Sequence, residues 1–536
     1  MKENAEKSTN EIMNLMYSCE LPPSEGKIRN VPKPAPELSV KEIERRGRLA
    51  VDKAEDLGIY SMSSEERLYY SHYLLRNAYK KNAKGEDLKP IHANIADLVL
   101  CDTRIFVLNQ DLYIYDPRVG TYFPDYGLRN LRHKIRSYLE REFIEDKTIG
   151  SIANLIVNDR RLALPADRIN NRPNHWKHFQ NGYYDNKADV LRPHNPDYYD
   201  VNVIPWTYEP GRYPSNYKYV IKGEGILRET VEESLTFDAW IEEAIPNYYD
   251  RIMLYQYIGY AMTLETREQK FLLICGPGGT GKSTLLKLIE EIFGGTNVSH
   301  VSLQGLQERF TPINLYMKQA NICADIPLTG LKEVDVIKKL TGEDTIFADR
   351  KGIAPISFQS YARLFFSANS IPYVDEKTNA FYRRMLVLKM DRAPKSIDPD
   401  LFEKLRDEIP NIITRCVEEL YCSAGTIDVS DNSREAVKSA HIESDSVEAF
   451  IEDRCKINSI SRVDRRTLYD AYKNYCFTEG RRELTPTGFY KTLSNKGYKQ
   501  IKGKTRDFIG LDLSNIVQFR SDSTADTTAD NGRSYG

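Results

Sequence analysis

The chain has 536 residues, 41% of them apolar and 28% charged, with a formal net charge of −2. That length calls for several domains. The apolar share excludes wholesale disorder, and no apolar run approaches the ~20 residues of a membrane-spanning helix. Its eight cysteines stand singly, without a C-x-x-C pair, which argues against zinc and a disulfide framework and fits a reducing cytoplasm.

In chain order, residues 1–38 read as a flexible N-terminus. It has no apolar leader, so no secretion is expected, and it ends in proline-rich linker chemistry. A helical segment over 39–95 follows, with helices at 39–56 and 63–81, each opened by Ser before a Glu-rich turn. The stretch 96–210 reads as an α+β domain, with short strands at 98–100, 105–108 and 112–115, continuing through Asn181-Gly182-Tyr183-Tyr184-Asp185. His175 and His178 are the nearest approach to a metal pair there, but without a third ligand type they read as packing or surface histidines. Helical periodicity from 231 to 264 assigns 211–265 to a helical collar. Alternating strand and helix patterns over 266–395 read as an α/β core, and a helical segment with a polar linker covers 396–445. A basic domain covers 446–515, and 516–536 read as a disordered tail.

The core carries the chemistry. The apolar strand Phe271-Leu272-Leu273-Ile274-Cys275 runs into Gly276-Pro277-Gly278-Gly279-Thr280-Gly281-Lys282-Ser283-Thr284, and an apolar-periodic helix follows. A strand before and a helix after are the setting a phosphate-binding P-loop requires. Its N–H groups and the helix dipole converge on an anion, Lys282 reaches the β/γ-phosphates and Ser283 ligates Mg²⁺. ATP and Mg²⁺ are the expected cofactors. A second short strand ends in Asp325, 43 residues after Lys282, as a Walker B acid would. A third, 362–368, ends in Asn369, able to orient a water. Arg383 and Arg384 precede a fourth, either as a solvated pair or as a finger for a neighbouring subunit.

From Arg454 to Gly510 there are fourteen Lys or Arg against five Asp or Glu, interleaved with Tyr469, Tyr472, Tyr475, Phe489, Tyr490 and Tyr498. That concentration points to nucleic acid. Helices at 447–453, 465–478 and 485–496 and two strands flanking Lys502-Gly503-Lys504 fit a winged helix, with Arg481, Arg482, Lys491, Lys502 and Lys504 as DNA contacts.

The P-loop, the strand ending at Asp325, Leu340-Thr341-Gly342-Glu343-Asp344 with Arg350-Lys351 after it, the Asn369 strand and Arg383-Arg384 together resemble the ordered motifs of superfamily 3 helicases. The branch is the helicase half of phage, plasmid and poxvirus-type primase-helicases. Asn181-Gly182-Tyr183 and Ile258-Gly259-Tyr260 extend the resemblance to about residues 95–515. It implies an α/β, multidomain AAA+ chain that acts as a ring, expected to be hexameric. Lys282 and Ser283 would lie on phosphate and metal, Asp325 would be the Walker B acid, Asn369 the sensor and Arg383 or Arg384 the trans-acting finger. A pore hairpin would grip single-stranded DNA through Arg350 and Lys351. Asp325 is followed by Ile326 rather than a second acid, which leaves Glu343 or Asp344 to polarise the attacking water or to cap the hairpin turn. Residues 1–95 offer neither Asp-x-Asp on a strand nor a zinc element, so priming is not expected.

The function expected is an ATP-dependent helicase and replication initiator of a phage, plasmid or other mobile element. It would act on single- and double-stranded DNA with host replication proteins in a bacterial cytoplasm. The alternative is an origin-binding or partner-loading switch that assembles on ATP without unwinding.

Overall fold

The computed structural model describes residues 40–82, 87–210, 217–222, 225–230, 235–308, 311–324, 335–350, 353–372, 380–479, 483–502 and 506–513. The expectations for 1–38 and 516–536 lie outside them. The chain divides into two compact units, one ending at Tyr208 and the other starting at Glu209. Among the described residues no helix is long and apolar enough to cross a membrane.

The first unit begins with α1 (Val40–Leu57) and α2 (Ser64–Arg76). A capping box starts α2: Ser63 Oγ accepts from the Glu66 N–H at 3.1 Å and the Glu66 carboxylate accepts from the Ser63 N–H at 2.7 Å. The helix expected to reach residue 81 stops at Arg76, because Tyr79–Lys81 pairs as β1 with β2 (Asp87–Pro90). The strand expected at 98–100 is instead the end of α3 (His92–Asp102), where Ile95, Leu98 and Val99 are buried at helical spacing. A short Leu-Val-Leu run cannot tell the two periods apart.

Next come the antiparallel meander β3 (Ile105–Leu108), β4 (Asp111–Asp116) and β5 (Thr121–Pro124), the helices α4 (Arg129–Arg136) and α5 (Asp146–Val157), and a second antiparallel sheet of β6 (Lys177–Phe179), β7 (Gly182–Asp185) and β8 (Val190–Arg192). One core runs from Ala50 to Leu162. The helical segment 39–95 is therefore part of the same body as the strands, not a domain of its own.

His178 is a packing residue, buried on β6 with its ring 4.3 Å from that of Tyr183. Its Nδ1 lies 2.7 Å from the Asn202 carbonyl, which can only accept, so that nitrogen carries the proton. Burial, with Arg172 and His194 adding to it, holds its pKa well below the ordinary 6.5. The folded ring stays neutral, while the unfolded ring takes up a proton as pH falls through about 6.5. The stability that depends on neutral His178 is thus present above that pH and lost below it. Thermal melts should show the first unit less stable at pH 5.5 than at 7.5, and His178→Gln should flatten that difference.

In the second unit, β9 (Tyr217–Lys222) and β10 (Gly225–Thr230) form an antiparallel hairpin, followed by α6 (Thr236–Ala244) and α7 (Tyr248–Ala261). This corrects the collar expected over 211–265. Its first part is β, where Tyr-Lys-Tyr-Val-Ile-Lys alternates at period 2. Its second helix buries every residue from Asp250 to Ala261 inside its own unit. Over that stretch the helix is an interior element, polar Asp250, Arg251 and Gln256 included, while Tyr249 at its start is exposed.

A five-stranded parallel sheet is the centre of this unit. In chain order its strands are β11 (Phe271–Cys275), β12 (Val298–Ser299), β13 (Ala320–Cys323), β16 (Arg363–Ala368) and β17 (Met385–Lys389), and in space they run β12-β13-β16-β11-β17. Both central strands, β11 and β16, are buried along their whole length, as their unbroken apolar runs dictate. Helix α8 (Lys282–Phe293) follows β11, while α9 (Asp335–Thr341) precedes the antiparallel hairpin β14 (Thr345–Arg350) and β15 (Ile353–Gln359).

After the sheet come α10 (Leu401–Asp407) and α11 (Ile409–Cys422). The Glu408 carboxylate between them accepts the Thr236 and Phe237 N–H groups at 2.9 and 2.8 Å, closing the start of α6. The polar linker expected up to 445 is a helix, α12 (Asp431–Ser444), capped by Ser430. Its Ser433 Oγ accepts the Val387 N–H of edge strand β17 at 2.8 Å.

The C-terminal region runs α13 (Ser446–Arg454), β18 (Lys456–Asp464), α14 (Arg465–Thr478), α15 (Pro486–Asn495), β19 (Gln500–Lys502) and β20 (Arg506–Asp512), with sheet order β18-β20-β19. All three helices lie where the sequence places them, and β18 is an addition. The interleaved aromatics are mostly core: Tyr472, Tyr475 and Phe489 are buried, and the Tyr472 and Phe489 rings stack at 4.4 Å. They hold the domain together and are not a platform for bases.

Candidate nucleotide and nucleic-acid site

The P-loop leaves the carboxyl end of β11, where parallel α/β sheets place their ligands. Cys275 pairs with Ala368 across the ladder, and the Gly276 N–H donates to the Ala368 carbonyl at 3.3 Å. Asn369, exposed and next in the chain, therefore stands beside the start of the loop. β13 ends at Cys323 opposite Phe366, so its continuation points to the same end of the sheet. Asp325 itself lies outside the described residues.

Two of the loop glycines are required by their surroundings or backbone. At Gly276 a Cβ would come within 2.0 Å of the Met390 carbonyl oxygen, so no side chain fits. Gly281, with φ of 92°, lies in the left-handed region, and its Cβ position is 3.3 Å from Trp240 Cζ2 of α6. Gly278 and Gly279 face open space. Pro277, Gly278 and Gly279 are exposed, whereas Thr280 and Lys282 are buried.

Lys282, at the first position of α8, folds its ammonium under the loop and donates to the Gly276 and Pro277 carbonyls at 2.6 and 2.7 Å. Ser283 is exposed at the second position and Thr284 half-buried at the third. An open glycine mouth, a cation beneath it and a helix N-terminus behind it fit a polyphosphate. Cys275, just before the loop, is no nucleophile: burial, aided by Asp391, pushes its thiol up to about 12. Trp240 and Met390 flank the loop from distant parts of the chain, and no spacing in the sequence announces them.

Arg383 and Arg384 sit at the other end of the sheet. They precede β17, whose first residue, Met385, pairs with Phe271 at the start of β11. A five-residue strand separates them from the P-loop end, about 16 Å. The two differ sharply. Arg384 is buried and donates to the Ala380 carbonyl at 2.7 Å and to Gln269 Oε1 at 3.3 Å. Burial, then the charge of Arg383, lowers its pKa. Arg383 is exposed, anchored only through its own carbonyl, which accepts from Lys270 Nζ.

Glu343 belongs to that same far end, accepting from Thr266 Oγ1 at 3.3 Å just ahead of β11, and Asp344 is close enough to bear on Arg384. Neither is brought to the P-loop of its own chain, so neither polarises a water there.

Arg350 closes β14 opposite Ile353, beside the hairpin turn where it is expected. Lys351 lies outside the described residues, as do Arg481, Arg482 and Lys504. Lys491 is exposed on α15, and Lys502 is the last residue of β19. Thr485 caps α15, its Oγ1 accepting the Gly488 N–H at 3.3 Å. Among the described residues no group of three or more His, Cys, Asp and Glu is placed to hold a metal ion.

Four family models match parts of the chain: D5 N terminal like over 103–246, a Rad17 P-loop domain over 236–310, a family of unknown function (DUF5906) over 274–384, and Poxvirus D5 protein-like over 442–517. No curated protein matches the chain significantly. Among solved structures, an apo form of the NrS-1 C terminal region is 11% identical, covering 79% of this chain and 100% of its own with a TM-score of 0.43. A second apo form, of residues 305–718, is 10% identical, covering 78% and 98% with a TM-score of 0.43. D5 models thus match on both sides of a P-loop domain, which supports the resemblance to D5-type primase-helicases that the sequence motifs carry.

Proposed function

We propose that the chain is an ATP-driven DNA helicase of the superfamily 3 type that works as a ring, expected to be hexameric, and opens DNA at the replication origin of a phage, plasmid or other mobile element. The observation that carries this is the split between its two ends. The loop, Lys282 and Asn369 share the carboxyl end of the sheet, while exposed Arg383 lies about 16 Å away at the other. An arginine so placed cannot serve its own loop but is available to the loop of a neighbour. Bound MgATP would supply phosphoryl transfer, with Ser283 and Asp325 on the metal, Lys282 bearing the charge under the loop and Asn369 orienting the water. Arg383 is the finger in this reading, because Arg384 is committed to the fold.

The hairpin β14–β15, with Arg350 and Lys351 at its turn, is the grip on one strand, a sequence-blind contact. The C-terminal order helix, strand, helix, helix, strand, strand supports a winged helix, with α15 as its groove-facing helix and Arg481, Arg482, Lys491, Lys502 and Lys504 as further contacts. Strand separation on a forked duplex tests the whole. Wild type should hydrolyse ATP and separate strands, Lys282→Ala should do neither, and Arg350→Ala should keep hydrolysis and lose separation. A wild type that hydrolyses ATP but separates nothing under any loading condition leaves the loading switch in its place.

A further inference from the structure

Helix α4 of the first unit reads Arg-Asn-Leu-Arg-His-Lys-Ile-Arg and has no acidic residue. Leu131 and Ile135 are fully buried and anchor it, so its inner face is settled. Two of its cations are also accounted for: Arg132 pairs with Asp146, and Lys134 with Asp102. Arg129 and Arg136 are not. Both are exposed and neither has a carboxylate partner among the described residues. With exposed His133 they recur at i, i+4 and i+7, one outward stripe of a helix. Tyr126, 69% exposed, precedes the helix, separated from Arg129 by Gly127 and Leu128, both at positive φ.

Helix stability favours His133 and Arg136, which lie in the last turn, but does not call for Arg129. Arg129 occupies the first helical position, where the macrodipole disfavours a cation. The free N–H groups of that end are satisfied by the buried Asp125, whose two carboxylate oxygens accept from the Asn130 and Leu131 N–H groups at 3.0 and 2.8 Å. The helix is thus capped from below, and its outer face is left positive, with exposed Tyr126 in the segment that leads into it. Cations that track a phosphate backbone beside a ring on which a base can stack are the chemistry of single-stranded nucleic-acid binding.

We propose that the stripe Arg129, His133 and Arg136, with exposed Tyr126 in the segment before it, is a single-stranded nucleic-acid contact in the first unit, separate from the hairpin and the C-terminal domain. It rests on the nucleic-acid half of the proposed function and on neither hydrolysis nor unwinding. Binding of the full chain to a labelled oligothymidylate, followed by anisotropy across a salt series, tests it. Arg129→Glu with Arg136→Glu should weaken binding about tenfold and lower the slope of log K against log salt by about 1.4, the share of two phosphates on a single strand. Tyr126→Ala should weaken binding without changing the slope. The same reversal at exposed Arg168 and Lys187, elsewhere in this unit, should change little.

Unchanged affinity and slope in the α4 variant, while Arg350→Ala weakens binding, overturns this stripe alone. Equal losses from the two reversals also overturn it, since net charge then explains the effect. A wild type that binds no oligonucleotide overturns both this proposal and the nucleic-acid reading beneath it.

Discussion

Arg383→Ala lowers ATP turnover by about 10³-fold, the usual scale for a finger supplied by a neighbour, and leaves ATP binding intact. Lys282→Ala is inactive for the opposite reason: it removes the charge under its own loop. Mixing the two inactive proteins then restores activity. In a randomly mixed ring a site is whole when an intact Lys282 meets a neighbour's intact Arg383, which holds for roughly a quarter of the interfaces in a closed head-to-tail ring. Steady-state ATPase on the 1:1 mixture reads this directly. A mixture as inactive as its parts would mean that Arg383 does not act across an interface. Arg384→Ala gives a different signature, a lower melting temperature, because it strips donors from Ala380 and Gln269 inside the fold.

Gly259→Ala destabilises the second unit by about 3 kcal/mol or more, the upper end of overpacking costs. A Cβ at this position would lie 2.3 Å from the Cys416 carbonyl oxygen and 3.2 Å from Leu420 Cβ, both on α11. Backbone cannot swing aside as a long side chain can. Nor can α7 retreat, since Tyr257 on its other side donates to the Leu364 carbonyl of β16 at 3.0 Å. Thermal denaturation of Gly259→Ala should show the loss, with Gly295→Ala as control. Gly295 has no neighbour within 4 Å of its Cβ position, and its substitution should stay within about 0.5 kcal/mol.

The parts of this molecule legible in its sequence are those whose signal is local. The P-loop carries its own strand and helix, so Gly276 to Thr284 could be placed by reading forward. The C-terminal helices carry caps, Asp445, Asp464 and Thr485, and were placed to within a residue or two. Errors arose where one pattern serves two structures. Leu98-Val99-Leu100 fits strand or helix. The hairpin at 217–230 was missed because the helical period was extended backwards across a stretch that alternates. What stayed hidden is non-local: Trp240 against Gly281, Glu408 closing α6, and the division of labour between Arg383 and Arg384. Two adjacent arginines look alike on paper, and only the position of Ala380 and Gln269 tells the buried one from the exposed one.

The Ser433 contact on Val387 bears on how copies of this chain can meet. A parallel sheet ends in a strand with one row of unsatisfied amides, and such a row recruits any strand that drifts near. Here α12 lies along that row with its own hydroxyl in the ladder and with Ala436 and Ala440 packed into the sheet's core. Neighbouring copies are thereby denied edge-to-edge β pairing along β17, which would zip them into rigid, open-ended fibres. Contacts made through side chains can slip and re-form, whereas a shared sheet cannot. Removing residues 431–444 would expose that edge and is expected to make the protein aggregate.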